Sequence, residues 1–264
     1  MDLHPNNESF AWRRHEGPFE IITPEQARAY DQDGGFVLEN AFDRDRIGQV
    51  VAELDPIEAK TADFLRTLDG GKMFIAQADA ITFSVHCVLQ STVLKEFVSG
   101  PVFRGLCRDL IGPRSRLYWD QAVYKKPEPE REFPWHQDNG YTYIEPQAYL
   151  TCWVALTDAD EDNGCPWIVP GLHQRGTLLH SMTDLGWRCL EDAPTARSLP
   201  VRAGSIVVFS SLTPHRTGPN RTQSVRKSYI VQFAPDGANR IDVTAEGTRH
   251  ATPQNAEDRQ FLME

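Results

Sequence analysis

The spacing of apolar residues divides the chain into two parts that meet near residue 113. In the first part, apolar residues recur three to four positions apart, which predicts helices. Thr23-Pro24-Glu25-Gln26 has the composition of a helix start, and Gly34-Gly35 ends that helix. Asp43 is placed to cap a second helix. A third helical segment is predicted over residues 93–110.

Beyond residue 113, short apolar runs alternate with clusters of Pro, Gly, Asn and Asp, as in a β sandwich or barrel. The strands predicted from these runs are 117–124, 149–156, 167–169, 204–210 and 228–233, with an earlier short strand at 36–39. We therefore predict a mainly β fold with helices. It is a jelly roll, the cupin-like double-stranded β-helix, with N-terminal helices packed on it.

The same pattern predicts the domain organisation. Residues 1–19 form a loosely held N-terminal arm, and residues 20–245 form one domain. Within it, the helical part covers about 20–112 and the jelly-roll core about 113–235, and residues 246–264 are a C-terminal tail. The long connection between Gly176 and Pro200 is predicted to contribute active-site loops.

Composition narrows the possible partners. The 264 residues carry a net charge of −10, which gives no electrostatic reason to expect nucleic acid or an anionic membrane as partner. The chain lacks an apolar run of roughly 18 residues and its first residues are polar, so a cytoplasmic location is predicted. The five scattered cysteines do not have the spacing of a disulfide framework or a zinc site. Oligomeric state stays open.

The central chemical signal is Trp135-His136-Gln137-Asp138. A histidine and an aspartate two residues apart on a strand point to the same face, so both can reach one metal ion. His215 follows the predicted strand 204–210 and would complete a 2-His-1-carboxylate triad. Such a triad leaves coordination positions open for substrate and O₂, as in non-haem Fe(II) oxygenases. Alone, the His136–Asp138 pair also fits a surface histidine beside a solvated aspartate.

Arg226 follows His215 by 11 positions, at the start of the predicted strand 228–233. A guanidinium beside the metal could pair bidentately with one carboxylate of a keto acid whose other end chelates the iron. A surface arginine next to Lys227 is the alternative.

Three motifs resemble those of the phytanoyl-CoA dioxygenase family: residues 135–138, Glu161–His173, and His215–Asn220 together with Arg226. This is a family of Fe(II)/2-oxoglutarate oxygenases, and the chain is most similar to its phytanoyl-CoA dioxygenase domain-containing proteins. The resemblance extends in order over about residues 20–240. Three separated motifs in the same order are far more specific than any one of them.

The resemblance implies a reaction and its cofactors. It implies hydroxylation or desaturation of an unactivated C–H bond of a small organic substrate, with release of succinate and CO₂. Fe(II), the cosubstrate 2-oxoglutarate and O₂ are required, and ascorbate serves as reductant in vitro. Relatives that halogenate have a small residue where this chain has Asp138, so halogenation is not expected.

The resemblance also assigns roles to residues. His136, Asp138 and His215 are the iron ligands, and Arg226 binds the distal carboxylate of 2-oxoglutarate. Cosubstrate positions are also implied for Thr217, Gln121 and Trp153, although Trp153 could be a core residue and Gln121 could face solvent. Aromatic candidates for the substrate wall, or for the core, are Trp135, Tyr141 and Tyr143. Three further histidines, His86, His173 and His180, are expected to stay away from the iron.

Two departures from the family bear on cosubstrate and substrate. Some relatives have a lysine ahead of the His-x-Asp segment that reaches the cosubstrate, whereas residues 79–84 contain none. Thr82 either replaces it or the contact is absent. The chain also shows no dense Lys/Arg cluster for a CoA phosphate, which puts acyl-CoA substrates in doubt. Its last residues, Phe261–Glu264, do not have the Ser-Lys-Leu type of peroxisomal targeting signal.

Two other functions stay open. A metal-dependent hydrolase or isomerase could use the same triad for zinc or manganese and would not need Arg226. A non-catalytic metal- and 2-oxoglutarate-binding module would be expected to have lost part of the set. Metal identity and turnover of 2-oxoglutarate separate these possibilities from an oxygenase.

Overall fold

Most of the α-helices lie in the first 110 residues of the chain. The computed structural model describes residues 1–244 and 246–263. Its α-helices are α1 (Pro24–Asp33), α2 (Arg44–Arg66), α3 (Thr92–Val98), α4 (Pro101–Leu110) and α5 (Asp138–Tyr141). Within the described residues, no helix is long and apolar enough to cross a membrane.

The strands form one large sheet and several small ones. They are β1 (Gly35–Leu38), β2 (Lys72–Met73), β3 (Ala76–Gln77), β4 (Ile81–Val85), β5 (Ser115–Lys125), β6 (Ile144–Glu145), β7 (Leu150–Ala155), β8 (Pro166–Ile168), β9 (Ser181–Thr183), β10 (Gly186–Arg188), β11 (Arg197–Ser198), β12 (Ile206–Ser210), β13 (His215–Thr217), β14 (Arg226–Pro235), β15 (Asn239–Val243) and β16 (Arg249–Pro253). The large sheet has the antiparallel order β1-β12-β7-β14-β5-β4-β3-β2, and a smaller sheet has the order β11-β8-β13.

The two faces of the large sheet have different neighbours. On β14, Tyr229, Val231 and Phe233 pack into the main core with Phe97 and Phe103 from α3 and α4. Alternate residues on a strand point to opposite faces. The even-numbered residues of β14 therefore face the other way, and three of them, Arg226, Ile230 and Gln232, line a cavity.

The smaller sheet closes the opposite side of this cavity. Its strand β13 contributes His215 and Thr217 to the wall, while β4, β5, β7, β12 and β14 of the large sheet contribute the facing residues. Helices α1 to α4 contribute buried side chains to the core on the outer face of the large sheet. The predicted jelly roll with helices packed on it is confirmed.

Local signals in the first part of the chain are mostly confirmed, with two differences. Thr23 caps α1: its hydroxyl accepts from the Gln26 N–H at 3.2 Å, and the Gln26 side chain accepts from the Thr23 N–H at 2.9 Å. The predicted segment 93–110 is two helices, because Pro101 begins α4 as its first helical residue. The sequence pattern also missed the strands β2, β3 and β4, of which β4 pairs along β5.

Residues of the predicted N-terminal arm make hydrogen bonds to α1 and to the chain around residue 176. The Trp12 indole N–H donates to Asp31 Oδ1 at 3.0 Å. The buried Asn7 amide donates to the carbonyls of Arg175 and Thr177 at 2.9 and 3.1 Å. The predicted long connection 176–200 contains the hairpin β9–β10 and the strand β11.

Asp120 is a charged group within the helix-facing side of β5, and it is 0% exposed. Its Oδ2 accepts from the Val88 N–H at 3.2 Å and from the Tyr229 hydroxyl at 2.8 Å. Its Oδ1 has no hydrogen-bond partner in the described part of the chain. Burial raises the pKa of Asp120 to about 6. The folded protein therefore holds this proton more tightly than the unfolded chain does.

We expect Asp120→Asn to remove a pH-dependent destabilisation of the folded protein. Because the folded-state pKa is raised, stability from this group is highest at about pH 4 and falls as the pH rises to about 6. The free energy of unfolding of the variant should match wild type at about pH 4 and exceed it by up to ~3 kcal/mol at about pH 7. Urea denaturation across this range measures the difference, with Asp69→Asn as an exposed control. A constant difference would contradict the assignment.

Candidate metal centre and adjoining cavity

His136, Asp138 and His215 converge, and their ligand atoms all lie within 4.8 Å of one another. The backbones of His136 and His215 form an antiparallel bridge with N–H···O distances of 3.0 and 2.8 Å. Asp138 lies at the start of α5 rather than on a strand. The prediction that His136 and Asp138 share a strand face is therefore wrong. The turn of the backbone into α5 brings the carboxylate to the two imidazoles instead.

Both imidazoles present the same ring nitrogen to Asp138. The distances from Asp138 Oδ1 are 3.8 Å to His136 Nε2 and 3.6 Å to His215 Nε2. The Nδ1 atoms lie 2.9 Å from the carbonyl oxygens of Pro134 and Thr213. Because a carbonyl only accepts, each Nδ1 carries the hydrogen and each Nε2 lone pair faces the carboxylate. This donor set fits an Fe(II) facial triad.

Burial governs the protonation of these three groups. It lowers the pKa of His136 to about 3, with a further contribution from His215, and it lowers the pKa of His215 to about 4. Burial also raises the pKa of Asp138. Neutral imidazoles are the form that binds a metal, and a divalent cation would offset the cost of the buried carboxylate.

The second oxygen of Asp138 is held by two side chains that the sequence analysis missed. Asp138 Oδ2 accepts from the Thr151 hydroxyl at 2.6 Å and from the Gln232 amide at 2.9 Å. The Gln232 amide also lies 3.2 Å from the Thr151 hydroxyl. These bonds turn Oδ1 towards the histidines. The sequence signal that could have identified Thr151 and Gln232 was a polar residue among the apolar residues of a predicted strand.

We expect Gln232→Leu to weaken metal binding without unfolding the protein. Loss of the amide donor leaves Asp138 held by Thr151 alone, and loss of such an orienting bond typically costs about 10–100-fold in metal affinity. Calorimetric titration with Mn(II) measures the change. Gln90→Leu, at an exposed position, is the matched control. Equal Mn(II) affinity in wild type and Gln232→Leu would show that Asp138 does not need this donor.

A cavity of about 280 Å³ adjoins the three ligands between the two sheets. Besides His136, Asp138 and His215, its wall includes all four residues predicted to bind the cosubstrate, namely Gln121, Trp153, Thr217 and Arg226. The structure therefore brings the predicted metal and cosubstrate residues together around one space.

Arg226 is 1% exposed, so the alternative of a surface arginine is wrong. Its Nη1 donates to the Ser228 hydroxyl at 2.6 Å, whereas Nε and Nη2 have no partner in the described structure. Its Cζ lies 5.1 Å from the centre of the Trp153 ring. Burial lowers the pKa of Arg226 to about 10. A buried guanidinium with unused donors on a cavity wall fits an anionic ligand such as the carboxylate of 2-oxoglutarate.

Of the three aromatic residues predicted as substrate walls, Tyr141 lines the cavity and the other two do not. Trp135 neighbours His136 on extended backbone and so points away from it. Its ring packs with Val169 and beneath Arg216, whose Cζ lies 4.6 Å from the ring centre. The Tyr143 ring stacks on His4 with 4.6 Å between centroids. Both residues therefore stabilise the fold around the site.

The remaining histidines lie outside the triad, as expected. His173 Nε2 lies 3.2 Å from the Asp31 carbonyl oxygen, and His180 Nε2 accepts from the Gln137 N–H at 2.9 Å. His86 packs against Trp119 with 4.3 Å between centroids.

Thr82 does not replace the lysine that some relatives carry. Its hydroxyl donates to Glu58 Oε1 at 2.8 Å, on the helix side of β4. The neighbouring Ile81 is the residue that lines the cavity. The cavity-facing position of this strand is therefore apolar.

The model of the family described as phytanoyl-CoA dioxygenase (PhyH) matches residues 30–228. Phytanoyl-CoA dioxygenase domain-containing protein 1 of Mus musculus is 26% identical over 261 aligned residues, covering 80% of this chain and 90% of the mouse protein. The ectoine dioxygenase of Bordetella bronchiseptica is 28% identical over 175 residues, covering 61% of this chain and 53% of that enzyme.

Solved structures of non-haem iron enzymes share the fold. The carbocyclase SnoK from nogalamycin biosynthesis superposes with a TM-score of 0.71 at 24% identity, covering 85% of this chain and 89% of SnoK. The epimerase SnoN, in complex with Fe³⁺, α-ketoglutarate and a nogalamycin, superposes with a TM-score of 0.69 at 21% identity and covers 91% of this chain and 98% of SnoN.

Proposed function

Because this chain belongs to the phytanoyl-CoA dioxygenase family, we propose that it hydroxylates or desaturates an unactivated C–H bond of a small organic substrate, releasing succinate and CO₂. Family membership makes it a non-haem iron oxygenase that uses 2-oxoglutarate. The observation that carries the proposal is that the histidine–aspartate triad and the incompletely paired Arg226 share one cavity. Cytoplasmic location stays a prediction.

His136, Asp138 and His215 would hold the iron. When bound, Fe(II) with 2-oxoglutarate and O₂ supplies the oxidising chemistry that attacks a C–H bond. The chain itself fixes the ligands: backbone carbonyls orient the two imidazoles, and Thr151 and Gln232 orient the carboxylate. Asp138 would fill the coordination position that a halide needs, which supports hydroxylation or desaturation.

Arg226 would bind the distal carboxylate of 2-oxoglutarate. Two unused donors on one planar guanidinium match the two oxygens of a carboxylate. The Trp153 ring beneath the guanidinium restricts its movement, and Thr217 lies on the same wall. The Trp119 indole N–H donates to Gln121 Oε1 at 3.2 Å, so the Gln121 amide NH₂ is directed to another partner. We assign that partner to the cosubstrate.

Oxygen uptake tests this proposal against the two alternatives. Purified protein loaded with Fe(II) should consume O₂ slowly when 2-oxoglutarate is added, and protein loaded with Zn(II) should not. A Zn(II)- or Mn(II)-dependent hydrolase would consume none with any metal. A non-catalytic module would bind Fe(II) and 2-oxoglutarate without oxygen uptake. Either result would overturn the proposal.

A further inference from the structure

The charges in the cavity wall are confined to the groups already assigned. Among the lining residues, the acidic, basic and imidazole side chains are those of Asp138, His136, His215 and Arg226. The wall contains no lysine, no glutamate and no second arginine. Once the metal and the cosubstrate are bound, no charged side chain of this wall is left for the substrate.

The rest of the wall is rich in aromatic and aliphatic side chains beside His136. The Phe133 ring lies 4.9 Å and the Tyr141 ring 5.2 Å from the His136 ring, measured between centroids. Phe83 extends this surface, with 6.2 Å between its centroid and that of Phe133. A substrate that reaches the metal ligands therefore lies against apolar rings.

Phe74 extends the apolar surface from the cavity to the exterior of the protein. It lines the cavity and is nevertheless 52% exposed, in the turn between β2 and β3. A large exposed apolar side chain at a cavity edge favours entry of apolar ligands. The volume of about 280 Å³ is at the small end for ligand cavities, and the cosubstrate takes part of it.

We propose that the prime substrate is a small, uncharged, mainly apolar molecule, rather than a carboxylic acid, an amino acid or a CoA ester. This inference rests on the proposed function, since it assigns Arg226 and the triad to cosubstrate and metal. A charged group on the substrate would enter an apolar wall without a partner, and burying an unpaired charge is costly.

The test uses one alkyl chain with different head groups. Octan-1-ol, octanoate, octylammonium and octanoyl-CoA are titrated into protein loaded with Mn(II) and 2-oxoglutarate, and the fluorescence of Trp119 and Trp153 in the wall reports binding. Octan-1-ol should bind at least about tenfold more tightly than each charged compound. Equal or tighter binding of octanoate, octylammonium or octanoyl-CoA would overturn the inference.

Two matched variants test whether octan-1-ol binds in the cavity. Phe74 and Phe64 are both 52% exposed, but only Phe74 lines the cavity. Phe74→Ser should weaken octan-1-ol binding several-fold and Phe64→Ser should not. Equal effects of the two variants would place the alcohol outside the cavity and contradict the inference. Calorimetry with 2-oxoglutarate on the same samples separates the substrate inference from the proposed function. Failure to bind 2-oxoglutarate would contradict the proposed function rather than the substrate inference.

A separate observation concerns Lys125, which the sequence analysis did not single out. The β5–β14 register pairs Lys125 with Arg226, and the β4–β5 register pairs it with Ile81. Lys125 is 1% exposed, as is Arg226. Two cations therefore lie buried side by side at the end of the sheet that carries Arg226.

No carboxylate of the described chain forms an ion pair with Lys125. Its Nζ donates to the Gly218 carbonyl. The charged groups that act on it are Arg226 on β14 and Glu128, Arg131 and Glu132 on the segment after β5. Burial, assisted by Arg226, lowers the pKa of Lys125 to about 7. The lysine therefore gains or loses its charge near neutral pH, and an added anion favours the charged form.

Lys125 does not line the cavity, but it neighbours Arg226, which does. We infer that the charge of Lys125, next to Arg226, helps to stabilise the distal carboxylate of 2-oxoglutarate, so that cosubstrate binding takes up a proton. The inference rests on the proposed function. Some relatives carry a lysine in the segment where this chain has the apolar Ile81 on β4. Lys125, paired with Ile81 on the neighbouring strand β5, would supply a positive charge in its place.

Calorimetry of Mn(II)-loaded protein with 2-oxoglutarate tests this role. In wild type, affinity should fall up to about tenfold per pH unit as the pH rises above about 7, with proton uptake seen as a buffer-dependent enthalpy. Lys125→Met should bind less tightly at about pH 6.5 and should lose the pH dependence. Binding without proton uptake in wild type would overturn the role of Lys125 alone, whereas no binding would contradict the proposed function.

Lys126 provides the control. It is the adjacent residue, but its Nζ lies 3.3 Å from Glu58 Oε1 and donates to the Ala78 carbonyl at 2.6 Å, on the helix side. Lys126→Met should keep the affinity of wild type and its pH dependence. Loss of both in Lys126→Met would show that net charge, rather than position, produces the effect.

Discussion

Arg226→Met is expected to abolish measurable 2-oxoglutarate binding while Mn(II) binding persists. The guanidinium is buried and keeps two donor atoms unpaired for the cosubstrate, so its removal deprives the buried distal carboxylate of its bidentate partner. Truncation of one member of a buried, hydrogen-bonded charge pair costs about 2–5 kcal/mol, or roughly 30-fold to several thousand-fold in affinity. Calorimetry with Mn(II), and then with 2-oxoglutarate, measures both steps.

The same variant should be more stable than wild type in the absence of ligands. A buried arginine without an anion carries a desolvation cost, and methionine fills similar space against Trp153 without that cost. A raised Tm together with lost cosubstrate binding would show that Arg226 serves ligand binding at the expense of stability. Arg240→Met, at an exposed position on β15, is the control. Wild-type affinity for 2-oxoglutarate in Arg226→Met would contradict the assignment.

Asp138→Ala is expected to have the second large effect, on the metal itself. Its Oδ1 is the carboxylate atom that both Nε2 lone pairs face, and the triad has no other carboxylate. Loss of an outer-shell partner already costs about 10–100-fold in metal affinity, so loss of this ligand should cost about 100-fold or more. Because the cosubstrate chelates the metal, 2-oxoglutarate binding should also weaken.

Titration of the Asp138→Ala protein with Mn(II) tests this expectation. Asp242→Ala, an exposed carboxylate on β15, is the control and should bind Mn(II) like wild type. Gln232→Leu should fall between the two, since it only loosens the carboxylate. Mn(II) affinity in Asp138→Ala equal to that of the control would mean that the metal binds elsewhere.

The residues that we propose for metal and cosubstrate binding could be singled out in the sequence because their chemistry depends on residue type and order. A 2-His-1-carboxylate set followed by an arginine is a rare combination, and the fold has to bring those residues together for the motif to have meaning. The structure does so by a route that the sequence did not indicate. Asp138 reaches the histidines from the first turn of α5 rather than along a strand.

The residues that the sequence missed depend on strand pairing. Thr151, Gln232 and Lys125 acquire their roles from neighbours on other strands, through the registers of β7, β14 and β5. Nothing within a few positions of each residue specifies those neighbours. Trp135 and Tyr143 were misplaced for the same reason, because an aromatic residue near the triad in sequence can still point into a different part of the core.

The most direct test of the central claim is succinate formation from 2-oxoglutarate by purified protein with Fe(II) and ascorbate under air. Wild type should form succinate slowly even without the prime substrate, the Arg240→Met control should do the same, and Arg226→Met and Asp138→Ala should form none above background. If wild type binds Fe(II) and 2-oxoglutarate yet forms no succinate with or without octan-1-ol, or if the two variants match wild type, the chain does not work as a 2-oxoglutarate oxygenase through this site.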